Sequence, residues 1–322
     1  MRKTYFIITI LIFFIILAII ISPQRYISAF SAGLSTWAKI LLPTIFPLIF
    51  FTKLLTELGA LSAISSKLVF TRKLWRAPPI SGYAFMISIL SGYPVGAKVV
   101  SDLYSDGYIT KPDAIKMCTF TSNSGPMFIY GSVGVGMLFS QTVGLIMLIS
   151  HILSAIFNGM LYRNYQPFKK NDTGFSLEIK PKFSLSTSMT DSILSILIIG
   201  GFVSIFFVVI ELLNQIGIFE SLGNFLGSIF GCNGQIFVGI FNGIIEMTHG
   251  CLDISTLNLN LGLTAIICTA LITFGGIATM LQAFAFLQKI GISLRFFLLQ
   301  KITQTIFACV ICALFVLVLQ VH

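Results

Sequence analysis

Three short polar stretches interrupt long apolar runs, and they hold the side chains with the clearest chemical potential. They read Ser-Gly-Tyr-Pro-Val-Gly-Ala-Lys at 91–98, Ser-Asn-Ser-Gly-Pro at 122–126 and Glu-Met-Thr-His-Gly at 246–250. Lysine, hydroxyl groups and the free backbone N–H groups at a helix start suit an anion, whereas a carboxylate suits a proton, a cation or a hydrogen-bond donor. The three stretches therefore predict a site that binds a small polar molecule.

The first stretch divides an apolar segment into two arms. Each arm holds about eleven or twelve residues and is roughly 16 Å long, or half of a ~30 Å hydrocarbon core. Two half-length arms predict a re-entrant hairpin; a single helix kinked at Pro94 is the alternative. Lys98 lies one turn beyond Pro94, where it would either face an anionic substrate or extend to the inner headgroups.

Pro94 and Pro126 both suit the first turn of a half-helix, where an N–H group would have no partner in any case. Asn123 or Ser124 is predicted to cap the half-helix that starts at Pro126. Each start leaves free N–H groups at membrane depth, which favours an anion there.

Glu246 is the candidate of opposite charge. A carboxylate inside a membrane is costly unless it is paired, protonated or hydrated, so it is a functional candidate by default. It would bind a proton or a cation, accept hydrogen bonds from a substrate together with Thr248, or cap the half-helix that follows it. By contrast, His151 and Gln282 are single polar residues on apolar helices, and we expect them to join helices.

Composition places the chain among polytopic membrane proteins. Of its 322 residues, 56% are hydrophobic and only 10% are charged, against about 25% in soluble domains. The formal charge of +9 is therefore interpreted as a topology signal and not as a nucleic-acid site. Cys309 and Cys312 have C-x-x-C spacing inside an apolar run, which favours ordinary helix residues over a metal or redox pair. With no hydrolase signature either, we expect no enzyme, no metal and no cofactor.

The apolar runs predict an all-α protein with seven full spans and two re-entrant hairpins. The first run follows Arg2 and Lys3, and we interpret it as an uncleaved span rather than a signal peptide. The spans are Tyr5–Ile21, Thr36–Leu58, a third after Asp113 that is broken at 122–126, Gln141–Tyr162, Ser192–Leu213, Leu261–Leu287 with a break at Gly275-Gly276, and Phe296–Leu319; the hairpins are Ile80–Gly107 and Gln235–Ile254.

The distribution of basic residues supports this topology. With the N-terminus cytoplasmic and the C-terminus outside, all but three of the 20 basic residues fall on the inner side or in the inner half of a span. The exceptions are Arg25, Lys39 and Lys53. If either hairpin crossed the membrane completely, every later loop would change sides and the bias would be lost.

The two halves of the chain resemble each other. Phe46–Gly59 aligns with Ser204–Gly217, and Gly96 and Ser124-Gly125 align with Gly250 and Gly275-Gly276. Each half holds three crossings, so the second copy must be inverted, as in many transporters whose binding site lies near the midplane. The chain then divides into a first span with an outer loop (1–33), a first repeat (34–162), a polar cytoplasmic linker (163–189) and a second repeat (190–322).

Several of these motifs resemble the YlbJ-like sporulation integral membrane proteins. The resemblance rests on 91–98, on Ser122–Ile129 with the glycine-rich 131–136, and on Glu246-Met247-Thr248-x-Gly250, and it extends from about Leu34 to the C-terminus. It implies nucleoside-recognition gate domains and an architecture similar to concentrative nucleoside transporters. It also implies a role in endospore formation, in the mother-cell-derived membrane around the forespore, where the family is associated with moving dipicolinic acid toward the spore.

Three functional hypotheses remain open: a secondary transporter of dipicolinate, a transporter of a nucleoside or other small solute, and a non-transporting scaffold. The expected partners are the bilayer, a small anionic substrate and a coupling proton or cation, and the oligomeric state is left open. The predicted substrate-binding residues are Ser91, Gly92, Tyr93, Pro94, Lys98, Ser122, Asn123, Ser124, Gly125, Glu246, Thr248, Gly275 and Gly276.

Overall fold

The computed structural model describes residues 2–59, 70–166 and 184–321, and these residues form helices and no strand. The predicted all-α class is therefore confirmed for the described part of the chain. Most of the predicted linker, 163–189, lies outside the described residues, as does Lys67.

The described helices occur in the following chain order, before and after the predicted linker. The first half comprises α1 (Arg2–Ile21), α2 (Pro23–Thr36), α3 (Leu42–Glu57), α4 (Phe70–Trp75), α5 (Ser81–Ser91), α6 (Val95–Ser105), α7 (Lys111–Cys118), α8 (Met127–Val135, π-helical) and α9 (Gln141–Leu161). The second half comprises α10 (Leu185–Gln215), α11 (Ile218–Phe230), α12 (Gln235–Ile245), α13 (Met247–Ser255), α14 (Leu261–Phe274), α15 (Gly276–Leu287) and α16 (Leu294–Val318).

Within the described residues, five helical segments are long and apolar enough to cross a membrane, which indicates a polytopic membrane protein. They are Pro23–Leu55, Gln141–Leu161, Leu185–Gln215, Leu261–Ile290 and Leu294–Val318. Each coincides with a predicted span, but the first begins at Pro23 rather than near Thr36. Two of the seven predicted spans, Tyr5–Ile21 and the broken span after Asp113, are not among these five. Pro23 presets a helical backbone angle, and a π-helical turn at Trp37–Leu41 joins α2 to α3 without a loop.

Both predicted hairpins fold back on themselves. A Cβ atom added to Gly96 would lie 2.5 Å from Ser88 Cβ, although residues eight apart in a straight helix are separated by about 12 Å. A Cβ atom added to Gly250 would likewise lie 2.2 Å from Gly243 Cα. The helix pairs α5–α6 and α12–α13 are therefore antiparallel hairpins, and the alternative of one helix kinked at Pro94 is wrong.

The long helix at the start of each half packs against its counterpart. The α2–α3 unit runs antiparallel to α10: residues near the start of α2 contact the last turns of α10, and residues farther along the unit contact earlier parts of α10. The contacts are Arg25 Nε to Glu211 Oε1 at 2.6 Å, Tyr26 hydroxyl to Gln215 Oε1 at 2.5 Å, Trp37 Nε1 to Ile196 O at 3.0 Å and Lys53 Nζ to Asp191 Oδ2 at 3.2 Å. Two of the three basic residues that violated the charge bias, Arg25 and Lys53, are thus ion-paired.

Two helices are interrupted where the sequence predicted breaks. Between α7 and α8 the chain leaves the helix at 119–126, and α14 ends at Gly275. Gly275 and Gly276 have φ of +92° and +67°, a region that side chains other than glycine rarely occupy. The stretch after α10 is mostly the helix α11, and glycines in the left-handed conformation lie at both of its ends.

Candidate functional site

In the first half, the tip of the α5–α6 hairpin lies against the break that follows α7. A Cβ atom added to Gly92 would lie 2.6 Å from Gly125 N, and Gly92 has φ of +71°. Only glycine satisfies both the conformation and the contact. The fold thus brings the backbone of the 91–98 motif into contact with that of the 122–126 motif.

The second half repeats this arrangement at the tip of the α12–α13 hairpin. A Cβ atom added to Gly276 would lie 3.1 Å from Gly243 O and 3.1 Å from Met247 N. Tyr93 connects the two halves, since its hydroxyl donates to Thr273 O at 3.2 Å and lies beside Gly275. Both tips and both breaks therefore meet in one region.

A cavity lies in this region. The free space in it, counted together with space open to the surroundings, amounts to about 700 Å³. Apolar side chains of α3 and α10 form one wall. The polar residues that line it come from the tips, the first break and α15: Ser91, Tyr93, Ser124, Glu246, Thr248, Thr279 and Gln282.

Four half-helices start at the cavity. The lining includes Tyr93 just before α6, Met127 at the start of α8, Met247 at the start of α13 and Ala278 in the first turn of α15. The first N–H groups of a helix lack partners within it and carry partial positive charge, so these starts favour negative charge in the cavity.

Glu246 already occupies one of these helix starts. Its side chain is buried, and Oε2 accepts a hydrogen bond from His249 N at 2.8 Å, which makes it the N-cap of α13. The capping role predicted as an alternative is therefore present. Because Glu246 also lines the cavity, capping does not remove it from contact with a bound solute or ion.

A buried lysine lies behind the first tip. Lys301, on α16, is fully buried, and its Nζ donates to the Tyr93 hydroxyl at 2.5 Å, Ser122 O at 3.0 Å and Gln304 Oε1 at 3.1 Å. None of the ion pairs among the described residues involves Lys301. The Lys301 side chain is thus held beside the cavity by neutral groups alone among the described residues.

The network around Lys301 fixes the first break. Gln304 Nε2 donates to Asn123 Oδ1 at 3.0 Å, and Asn123 Nδ2 donates to Ser88 Oγ at 3.0 Å. His151 Nε2 accepts from Ser124 N at 3.1 Å, so Nδ1 carries the proton and donates to Thr273 Oγ1 at 2.9 Å. His151 joins helices, as expected, whereas Gln282 lines the cavity.

The structure separates the predicted site residues into three groups. Those that line the cavity are Ser91, Gly92, Tyr93, Ser124, Gly125, Glu246 and Thr248. Pro94, Ser122, Asn123, Gly275 and Gly276 lie at the tips and breaks next to it but are not among its lining residues. Lys98 lies apart from both groups. Its side chain is 55% exposed, and Nζ pairs with Asp102 Oδ2 at 2.7 Å.

One detail of the predicted site is wrong. Neither Asn123 nor Ser124 caps α8, which begins after Pro126 without a side-chain cap in the structure. Asn123 is turned instead toward Ser88 and Gln304, because the buried partners there satisfy both ends of its amide.

Sequence reasoning missed Lys301. It counted this lysine among the inner basic residues, although Gln300, Lys301 and Gln304 form a polar group within an apolar span. Polar residues within one turn inside a span mark a buried polar face, and that signal was available.

No protein-family model and no solved structure matches the chain. The chain is similar to the sporulation integral membrane protein YlbJ of Bacillus subtilis (strain 168), with 25% identity over 92% of this chain and 79% of that protein. This similarity confirms the resemblance to the YlbJ-like sporulation integral membrane protein family.

Proposed function

We propose that the chain is a secondary transporter that acts in endospore formation and moves dipicolinic acid across the membrane surrounding the forespore. In this proposal the N-terminus is cytoplasmic and the C-terminus lies outside. The similarity to a sporulation integral membrane protein supports the cellular role. The site residues support the transport mechanism.

The observation that carries the proposal is the meeting of two hairpin tips and two helix breaks at one cavity. The hairpin arms have 9 to 11 residues, or roughly 14–17 Å, about half of a ~30 Å hydrocarbon core. Re-entrant hairpins of this length would place their tips, and hence the cavity, near the midplane. Irregular backbone survives at that depth where it lines a cavity, and inverted repeats with such breaks are typical of transporters.

The charges around the cavity favour an anionic substrate. Dipicolinate is a small planar dianion, and half-helix starts offer it N–H groups at the first tip and the first break. Glu246 is less compatible with a dianion while it is charged. We therefore assign it to the coupling proton or cation, whose binding would remove the repulsion.

A nucleoside is the second candidate substrate. No lysine or arginine is among the residues that line the cavity, whereas Ser91, Thr248, Thr279 and Gln282 offer uncharged hydrogen-bonding groups. These groups suit a sugar or a base, with Glu246 as an acceptor. A non-transporting scaffold is the third candidate, but it requires neither a shared cavity nor breaks at matching places in two halves.

Uptake into proteoliposomes separates the candidates. We expect the full-length protein to accumulate labelled dipicolinate above protein-free vesicles, and unlabelled dipicolinate to compete better than a nucleoside. Accumulation of the nucleoside alone would assign the second candidate. Uptake of neither solute, by protein that is folded and inserted, would contradict transport.

A further inference from the structure

We infer that Lys301 makes the cavity selective for anions and that it acts through the Tyr93 hydroxyl. The inference rests on the proposed function and assigns the origin of its substrate charge preference. Lys301 does not line the cavity, so it is a positioning and charge-supplying residue rather than a residue in contact with the substrate.

The surroundings of Lys301 suit an ammonium group. An ammonium carries three N–H donors, and three oxygen acceptors surround Nζ, at 2.5, 3.0 and 3.1 Å. The acceptors come from the hairpin tip, the first break and α16 itself.

The ammonium has no counter-charge within the described residues. Its three partners are a phenol, a backbone carbonyl and a side-chain amide, and none of the ion pairs among these residues includes it. Burying a charge without an opposite charge is costly, and a neutral amide could bridge the same groups at a lower cost. A charge kept in such a place implies that an anion completes the pair when it binds.

Tyr93 is the route from this charge to the cavity. Its side chain lines the cavity, while its hydroxyl accepts from Lys301 Nζ and donates to Thr273 O over a longer distance of 3.2 Å. A hydroxyl that accepts from an ammonium becomes a stronger donor. When a carboxylate enters the cavity, the hydroxyl can turn from Thr273 O to the carboxylate and form a charge-assisted hydrogen bond.

Lys98, the lysine first expected to bind the anion, provides the matched control. It lies on the arm that follows the same tip, but its exposed ammonium is paired with Asp102. A surface pair of this kind contributes little to binding in a separate cavity. The two lysines therefore differ in burial and in counter-charge, and the inference assigns the effect to only one of them.

The test compares ligands that differ in charge and not in shape. Binding of dipicolinate and of the uncharged pyridine-2,6-dimethanol is measured by calorimetry on the full-length protein in nanodiscs. For Lys301→Gln we expect dipicolinate affinity to fall roughly 10- to 100-fold, as for loss of a charge-assisted contact, while diol affinity changes less than about threefold. Tyr93→Phe should lower the ratio of the two affinities in the same direction, and Lys98→Gln should leave it unchanged.

The outcomes distinguish this inference from the proposed function. If Lys301→Gln lowers both affinities equally, or lowers neither, Lys301 is structural and the inference is overturned while transport stands. If Lys301→Gln does not fold, Tyr93→Phe decides, because it retains the lysine and the aromatic ring; an unchanged ratio there would equally overturn the inference. If the unaltered protein binds neither ligand, it is the proposed function that fails.

Discussion

The two hairpin tips share a backbone arrangement but carry opposite chemistry. At the first tip, Gly92 of the hairpin lies against backbone atoms of Gly125 in the break. At the second tip, Gly276 of the break lies against backbone atoms of Gly243 and Met247 in the hairpin. The first tip is backed by Lys301 within a buried network of neutral partners, whereas the second tip presents Glu246 as a helix cap. We infer from this difference that the backbone geometry of the tips forms the cavity, and that their differing side chains would determine which solute or ion it binds.

We expect the largest loss of stability when a side chain is added at a glycine where each hairpin packs closely. A Cβ atom at position 96 would lie 1.9 Å from Thr121 O, and one at position 250 would lie 2.2 Å from Gly243 Cα. Because backbone atoms cannot yield as a side-chain end can, Gly96→Ala and Gly250→Ala should each destabilise the fold by about 1–3 kcal/mol or more. Thermal unfolding in detergent measures this.

The control for this pair is Gly201→Ala, since a Cβ atom at Gly201 meets no atom within 4 Å and the residue is helical. It should be neutral or slightly stabilising. If Gly96→Ala or Gly250→Ala were as harmless as the control, the close packing of that hairpin would be disproved.

The next effect concerns the acidic tip alone. Glu246→Gln keeps the size and hydrogen-bonding capacity of the side chain but cannot carry a negative charge. If Glu246 binds the coupling proton or cation, the variant should lose accumulation of dipicolinate against a gradient and retain exchange between the two sides. Uptake and counterflow measured on the same proteoliposomes separate the two activities.

Glu211→Gln is the matched control, because Glu211 is partly exposed and pairs with Arg25 away from the cavity. It should retain both activities. Accumulation preserved in Glu246→Gln would reduce this residue to its capping role, whose loss costs only about 1 kcal/mol. A parallel loss of exchange and accumulation would point to direct contact with the substrate.

A smaller difference in stability is expected between substitutions of Gln304, behind the first tip, and Asn242, behind the second. Gln304→Leu would leave Asn123 Oδ1 without its donor and would remove one acceptor from Lys301, both fully buried, at a cost of about 1–3 kcal/mol. Asn242→Leu removes only the bond to Asp253 Oδ2, and the Asp253 side chain is 30% exposed and can be hydrated. We expect its cost to stay below about 1 kcal/mol in chemical unfolding.

If the two substitutions lower the free energy of unfolding equally, the buried hydrogen bonds behind the first tip contribute no more to stability than those behind the second. A larger cost for Asn242→Leu would reverse the comparison and place the rigid element in the second half.

The sequence predicted the helical class, the helix breaks and five of the seven proposed spans, because breakers within apolar runs are local signals. Gly92, Gly275 and Gly276 require positive φ, and the spans follow from length and hydropathy, so both were visible without coordinates. Contacts between distant segments were not visible. Tyr93 meeting Thr273, and Lys301 meeting Ser122, depend on how the two halves pack, which no local pattern encodes.

Lys98 and Lys301 show the same limit in the chemistry. Lys98 was predicted to bind the substrate because it lies within the first motif. In the structure its side chain is exposed and pairs with Asp102 outside the cavity. Lys301 was assigned to the inner basic residues by charge counting alone. Its burial became evident only when α16 was placed against the first tip and the first break.

The most direct test of the account is whether the cavity is reached from both sides of the membrane. A single cysteine at Ser91, in a background that lacks the six native cysteines, is treated with an impermeant maleimide applied from one side or the other. We expect the cysteine at position 91 to be labelled from each side. Labelling should be slower when dipicolinate is present, because the substrate would occupy the cavity between the tips. Labelling from one side only, at a rate that dipicolinate does not change, would contradict the account.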